Sequence, residues 1–373
     1  MGDVGVRRNR LPVAAAAFFS LAVAGCGTQL PKEINAGALG TISVSPPQQG
    51  TYQEGASIDW LKFVVISAFD GYSDPEQVSQ WQMLPKPGIR AQLHRLMAAR
   101  SAAMWIGHST FLIKTGGLIV LTDPMFSERA SPSQTLGPRR YFPPALEISE
   151  LPRVDVILIS HNHYDHLDTN SLTQLAARFP KARVLMPAGN EKYALRSGFR
   201  HVQGYWPGQR AEVAGLKFRA LLAYHQTSRH GIDANTTPAL SWSIRGPSPS
   251  IYFAGDTAYG PVFRQIRHTY GPHEVALVPI GDYEPPDEVR HVHASPKEAA
   301  RIASDLGADV AVGMHWGTFP LSDTPYIEPA KRFLAARSPV ARRVLSLGGT
   351  IVFRHGPDPA QVSEARPRAA ARL

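Results

Sequence analysis

Residues 160–168 read Ser160-His161-Asn162-His163-Tyr164-Asp165-His166-Leu167-Asp168. Three imidazoles and two carboxylates stand directly after the apolar run Val154-Asp155-Val156-Ile157-Leu158-Ile159. A buried strand that ends by delivering ligands into a loop has this pattern. Imidazole nitrogen and carboxylate oxygen together suit zinc or a similar divalent ion. A single catalytic zinc takes about three protein ligands and keeps one position open, so the surplus points to two metals. The residues are spaced and follow a strand, unlike a low-complexity His tract.

Other ligands must then come from other strand ends, and four candidates stand there. His225 closes the run Leu216-Lys217-Phe218-Arg219-Ala220-Leu221-Leu222-Ala223-Tyr224. Asp256 follows Ile251-Tyr252-Phe253-Ala254-Gly255, and His315 follows Val310-Ala311-Val312-Gly313-Met314. His108 lies in Trp105-Ile106-Gly107-His108-Ser109-Thr110, between two early strands. One sheet edge could gather all of them.

The elements that would do so begin near residue 102. Strands are expected at 104–106, 111–113, 118–121, 154–159, 184–186, 216–223, 240–244, 251–254, 275–280, 310–312 and 350–353, and helices at 171–178, 191–197, 296–306 and 329–336. The third helix opens with Ser295 as N-cap, Pro296 at the first helical position and Glu298 at the third, a capping box. Early strands in hairpins, then strand–helix units, predict an α/β fold of mixed sheets with helices outside. No short-period repeat is visible.

The first residues read as an export signal. Arg7, Arg8 and Arg10 precede a short apolar stretch, residues 11–25, which ends Val23-Ala24-Gly25-Cys26. Cys26 is the only cysteine of 373 residues, which excludes an internal disulfide and a Cys-ligated metal. Small residues before a lone Cys resemble a bacterial lipoprotein site, implying cleavage after residue 25 and lipid attachment at Cys26. An ordinary signal peptide with an incidental Cys is the alternative, and Arg7-Arg8 raises the twin-Arg route without the rest of that motif. The expectation is an exported protein anchored to a bacterial membrane. Residues 26–57 read as a flexible tether and 58–101 as a partly helical extension with Trp60, Trp81 and Leu93 as anchors. Residues 102–355 are expected to form the main domain that carries the ligands, and 356–373 read as a disordered basic tail. Removing the signal takes the net charge from +9 to about +7, which favours anionic partners such as phospholipid headgroups. No nucleic-acid motif accompanies that charge, so no nucleic-acid partner is expected, and the oligomeric state is open.

The set of ligands resembles the metallo-β-lactamase fold, an αββα sandwich with its metals at one edge of two mixed sheets. The His-x-His-x-Asp-His signature appears as His161, His163, Asp165 and His166. The resemblance implies two Zn2+: one held by His161, His163 and His225, the other by Asp165, His166 and His315, with Asp256 and a hydroxide shared between them. Iron-binding relatives often carry a carboxylate where His163 stands, so His163 favours zinc. A narrower likeness covers residues 102–355. The runs 122–134 and 137–140, with Ile148-Ser149-Glu150-Leu151-Pro152, Ile280-Gly281-Asp282-Tyr283-Glu284-Pro285 and His315-Trp316-Gly317-Thr318-Phe319, resemble N-acylphosphatidylethanolamine-hydrolysing phospholipase D. Gln226 and Thr227 depart from the aromatic and cysteine residues of the mammalian-type enzyme, and 230–238 also differs.

That likeness implies a phosphodiesterase releasing N-acylethanolamine and phosphatidic acid from a phospholipid substrate, with Asp165, Asp256 and His293 as its catalytic groups. Tyr164, His293 and Trp316 are the candidate substrate contacts. Tyr164 could instead pack under the loop, Trp316 and Phe319 could be core, and His108 and His293 could be structural. Asp168, just past the ligand run, could hold a ligating imidazole in one tautomer. None of the fourteen histidines begins a His-x-Lys motif, which leaves a covalent-histidine route unsupported. Two rivals stand beside this reading: another hydrolase on the same fold (a lactonase, amidase or nuclease), and a non-catalytic surface lipoprotein.

Overall fold

The computed structural model describes residues 83–353, apart from 231 and 248. Cys26, the stretch before it, the tether, Trp60, Trp81 and the basic tail lie outside those residues. Among the described residues no helix is long and apolar enough to cross a membrane.

Two seven-stranded sheets carry the fold. The first contains β1 (Ala102–Gly107), β2 (Thr110–Thr115), β3 (Leu118–Thr122), β4 (Val156–Leu158), β5 (Arg183–Pro187), β6 (His201–Tyr205) and β14 (Thr350–Val352). Its order is β14-β1-β2-β3-β4-β5-β6. The second contains β7 (Arg210–Val213), β8 (Leu216–Leu222), β9 (Leu240–Arg245), β10 (Ile251–Phe253), β11 (Val275–Pro279), β12 (Val310–Met314) and β13 (Ala341–Arg343), in the order β13-β12-β11-β10-β9-β8-β7. Both sheets are mixed and follow one scheme. From β14 to β3, and from β7 to β10, neighbours run antiparallel; from β3 to β6, and from β10 to β13, they run parallel.

The parallel pairs need crossovers, which helices supply except between β3 and β4, where the connection is a loop with one 3-10 turn at Ile148–Glu150. The helices are α2 (Thr169–Arg178) and α3 (Glu191–Arg196) in the first sheet, and α4 (Val262–Tyr270), α5 (Pro286–Val289), α6 (Pro296–Asp305) and α7 (Glu328–Ala335) in the second. Before them, α1 (Lys86–Ala98) buries Ile89 and Leu96, and its Gln92 accepts a hydrogen bond from the Thr350 amide on β14. The helices flank the sheets in the αββα arrangement that the sequence predicts. The capping box forms as expected: Ser295 accepts from the Glu298 amide, and Glu298 accepts from the Ser295 amide.

Three strands and one long helix escape the sequence reading. β6 alternates exposed and half-buried residues up to the buried Tyr205, β7 alternates throughout, and β13 is Ala-Arg-Arg with none buried, so these edge strands lack an apolar run. Helix α4 buries Val262, Phe263 and Ile266 along one face, an amphipathic pattern that is present in the sequence but absent from the expected helices.

The inner faces of the sheets share one hydrophobic core that includes Phe218, Trp242 and Phe253. At the edge where β4 ends, two hydrogen bonds join the sheets. Trp242 Nε1 donates to the Ile159 carbonyl at 2.9 Å, and the Leu240 amide donates to the Ser160 carbonyl at 2.8 Å. The loop carrying the histidine run is therefore held by the second sheet from its first residue.

Candidate metal centre

All seven residues picked out as ligands meet at this edge. Each follows a strand: His161, His163, Asp165 and His166 follow β4, His225 follows β8, Asp256 follows β10 and His315 follows β12. Their ligand atoms form overlapping groups: His161 with His163 and His225; His161 with His166 and Asp256; and Asp165 with His166, His315 and His108.

Second partners fix the direction of the rings. Ser160 Oγ gives its one proton to Asp123 Oδ2 at 2.6 Å, so His161 Nδ1, 2.9 Å from that oxygen, must donate to it. His225 Nδ1 donates to the Val292 carbonyl at 2.7 Å, and His166 Nδ1 donates to Asp123 Oδ2 at 2.7 Å. In a neutral ring a proton on Nδ1 leaves a lone pair on Nε2. His161 and His225 thus aim Nε2 lone pairs inward, and His166 presents Nε2 to the cluster. His315 presents Nδ1 to Asp282 Oδ2 at 3.1 Å and Nε2 to the cluster.

These inward atoms crowd one another. His163 Nδ1 lies 2.9 Å from His161 Nε2 and 3.2 Å from His225 Nε2. One proton on His163 satisfies one neighbour and leaves the other facing a nitrogen. His166 and His315 Nε2 are 3.2 Å apart, with Asp256 Oδ2 3.1 Å and 2.9 Å from them. Asp256 Oδ1 is buried with no hydrogen-bond partner. A buried carboxylate oxygen without a donor, among convergent imidazole lone pairs, is the environment a divalent cation satisfies. The residues present fit a metal pair.

Electrostatics agree. Burial, then the neighbouring His166 and His163, hold His161 well below the usual histidine range; burial and then His225 lower His163 to about 3. Those rings are neutral and ready to ligate. Burial also disfavours a charged His166 or His315, but the carboxylates around them, Asp256 foremost, outweigh it and raise both. Burial likewise opposes ionisation of Asp256, and His166 and His315 overcome it to hold its carboxyl low. Protons gather on this side because the carboxylates there attract positive charge.

Backbone strain marks the same place. His108, Asp123, Asp282 and His315 all have positive φ, at 53°, 32°, 57° and 57°. Such conformations are costly for residues with a Cβ and concentrate where function demands a fixed geometry. Close packing adds to this: a Cβ on Gly281 would lie 1.9 Å from the His315 carbonyl oxygen, so only glycine lets β11 and β12 end side by side.

Asp168 does not hold a ligating ring. It caps α2, accepting from the Asn170 amide, the Ser171 hydroxyl and the Ser127 amide. A residue that opens a helix is turned towards its amides. Asp123 instead holds the His166 ring by a hydrogen bond, and Asp282 stands as an ion-pair neighbour 3.1 Å from His315 Nδ1. The sequence shows both only as acidic residues just past strands β3 and β11, a signal shared with many loop residues.

His108 is buried, and its Nε2 lies 2.8 Å from Asp165 Oδ2. His293 packs against His225 and His315, with ring centroids 4.9 Å and 5.5 Å away, and its Nδ1 is buried without a partner. Tyr164 takes the packing alternative: the Arg229 guanidinium sits over its ring at 4.0 Å. The same Arg229 donates to the Asn162 and Leu167 carbonyls at 2.9 Å and 2.8 Å, clamping the ligand loop at both ends. Neither Arg229 nor this role is evident from sequence. Trp316 is buried and stacks on Trp105 with centroids 5.4 Å apart, and Phe319 packs edge-on against His108. A small pocket beside His315 is lined by Tyr141, Asp282, Phe319, Thr324 and Tyr326.

A family model described as "Beta-lactamase superfamily domain" matches residues 119–316. An uncharacterized protein of Mycobacterium tuberculosis is 36% identical over 327 residues, covering 83% of this chain and 85% of its own. N-acyl-phosphatidylethanolamine-hydrolyzing phospholipase D 1 of Caenorhabditis elegans is 33% identical over 239 residues, 61% of this chain and 67% of that one. Among solved structures, the metallo hydrolase Igni18 of Ignicoccus hospitalis superposes with a TM-score of 0.53 at 22% identity, covering 69% of this chain and 99% of that one.

Proposed function

The chain belongs to the metallo-β-lactamase superfamily of metal-dependent hydrolases, and from that premise we propose that it is a zinc-dependent phosphodiesterase of the phospholipase D type. Its substrate is N-acylphosphatidylethanolamine or a related glycerophospholipid. The observation that carries this reading is the complete set of seven convergent ligands, in a chain 33% identical to a relative named for that reaction.

His161, His163 and His225 would hold one ion and Asp165, His166 and His315 the other, with Asp256 as the carboxylate nearest to both groups. When bound, the pair supplies Lewis acidity, activating water near neutral pH and offsetting charge on phosphoryl oxygens. The protein's own groups do the rest. Asp123, Asp282, Ser160 and the Val292 carbonyl keep the rings aimed before substrate arrives, so little reorganisation is needed at reaction. Burial and then His225 lower the His293 pKa to about 3, so its ring is neutral, and its buried Nδ1, which has no partner, is an unused polar atom beside the ligands for contact with the substrate phosphate. Gln226 follows His225 and is the candidate for tuning substrate preference, while Thr227 is buried and hydrogen-bonded to Asn235 and Thr237 within the loop. Attachment through Cys26 to a bacterial membrane would hold the site near its lipid, and the net charge of about +7 left after signal removal would aid approach to anionic headgroups.

The test is to titrate Zn2+ into metal-free protein with N-acylphosphatidylethanolamine and follow both products by mass. Zinc-dependent release of N-acylethanolamine with phosphatidic acid is expected. Two bound zincs with intact lipid, and turnover of lactones instead, would move the chain to another hydrolase class. Folded protein that binds no metal would end the enzyme reading.

A further inference from the structure

The two halves of the cluster are backed by different chemistry. Behind His161 stands the Ser160 hydroxyl, and behind His225 the Val292 carbonyl, both neutral. Behind His166 and His315 stand the carboxylates of Asp123 and Asp282. Asp165 adds a further carboxylate to that second half. Asp256 is not centred between the halves. Its Oδ2 lies 2.9 Å and 3.1 Å from the Nε2 atoms of His315 and His166, but 3.9 Å and 3.8 Å from those of His161 and His225.

A carboxylate behind an imidazole raises the donor strength of its far nitrogen, and loss of such a partner typically weakens metal binding about 10–100-fold. Negative charges around one position also attract a divalent cation more strongly there. We propose that the two metal positions fill unequally: the position between Asp165, His166 and His315 binds its ion first and tightly, and the position among His161, His163 and His225 is exchangeable. This rests on the dinuclear reading above. Asp123 and Asp282 are positioning residues that act through His166 and His315. The chain would then carry a resident ion and reach its dinuclear state only as free metal rises.

The test is a titration of the metal-free full chain with Zn2+ against a chromophoric chelator. Two separate steps are expected. His163→Ala should lose the weak step and keep the tight one. Asp282→Asn keeps an oxygen facing His315 Nδ1 but removes its charge. It should weaken the tight step about 10–100-fold and leave the weak one in place. A merely structural role for Asp282 would instead weaken both together. Two indistinguishable steps in the wild-type chain, or loss of the tight step in His163→Ala, would overturn unequal filling while leaving the metal pair intact. Absence of any Zn2+ binding by folded protein would overturn the metal reading itself.

Discussion

The two sheets use one strand scheme and contribute to the site in different ways. In that scheme β1 corresponds to β8, β3 to β10, and β4 to β11. His108 follows β1 as His225 follows β8, and Asp123 follows β3 as Asp256 follows β10. The second-sheet members, His225 and Asp256, turn their donor atoms into the cluster. Of their first-sheet counterparts, Asp123 holds His166 from behind, and His108 meets Asp165 with its Nε2 at the margin of the cluster. The first sheet delivers its ligands as a cassette after β4, whereas the second delivers single residues from separate strand ends. Equivalent positions can therefore serve as ligand on one sheet and as holder of a ligand on the other.

The sharpest way to break this comparison is to remove the paired aspartates. Asp256→Asn should cut turnover by at least the roughly 100–1000-fold that loss of one electrostatic partner at a reacting centre costs. Asp123→Asn should cost about 10–100-fold in metal affinity while turnover recovers at excess metal. Metal content and rate measured on both variants check this, and equal losses would put Asp123 among the direct ligands.

Gly281→Ala probes the second sheet's strand ends. The added methyl would meet the His315 carbonyl oxygen at 1.9 Å, so about 1–3 kcal/mol of stability should be lost and metal binding should weaken. Chemical denaturation with and without Zn2+ reads both effects. Unchanged metal affinity in a destabilised variant would show that His315 tolerates displacement.

His273 tests the second sheet away from the metals. It is buried beside the Ser243 hydroxyl at 2.7 Å, and burial followed by Arg245 lowers its pKa to about 3. The unfolded chain binds a proton near the ordinary histidine value of 6.5, and the folded chain only near 3. Stability is thus unaffected above that range and falls as pH drops through it, with a slope of up to about 1.4 kcal/mol per pH unit. His273→Gln should flatten the urea midpoint's acid dependence, and an unchanged slope would assign it to other groups.

The helix caps give the smallest expected effect. Ser295 caps α6 outside the second sheet, and Asp168 caps α2 outside the first. Replacing either by Ala should cost about 1 kcal/mol. Asp168→Ala should cost the more, because Ser127 and Ser171 also lose their acceptor. Thermal melts of the two variants decide it.

The same contrast explains what was legible in the sequence. The cassette is visible because its ligands are adjacent, and His225, Asp256 and His315 because each follows a long apolar run. Apolar strands and the Ser295–Glu298 box are local signals, so the central strands and α6 can be read directly. β6, β7 and β13 are edges with little buried surface, and their pairing depends on neighbours far along the chain. The holders escape for a related reason. Asp123, Asp282 and Arg229 take their roles from partners 43, 33 and 67 residues away, and no local pattern encodes those contacts. Asp168 misleads because a single carboxylate at that place serves equally as a helix cap.

One pairing bears on how the protein is made. β14 lies against β1, with Thr350 opposite Met104. Synthesis runs at about 5–20 residues per second, so β1 waits more than ten seconds for its neighbour. Until then its edge offers unpaired amides and carbonyls to any passing strand. A message truncated after His315 would encode every candidate ligand and still leave that edge bare. The genetic lesion would be read by chaperones and proteases before it was read by the active site.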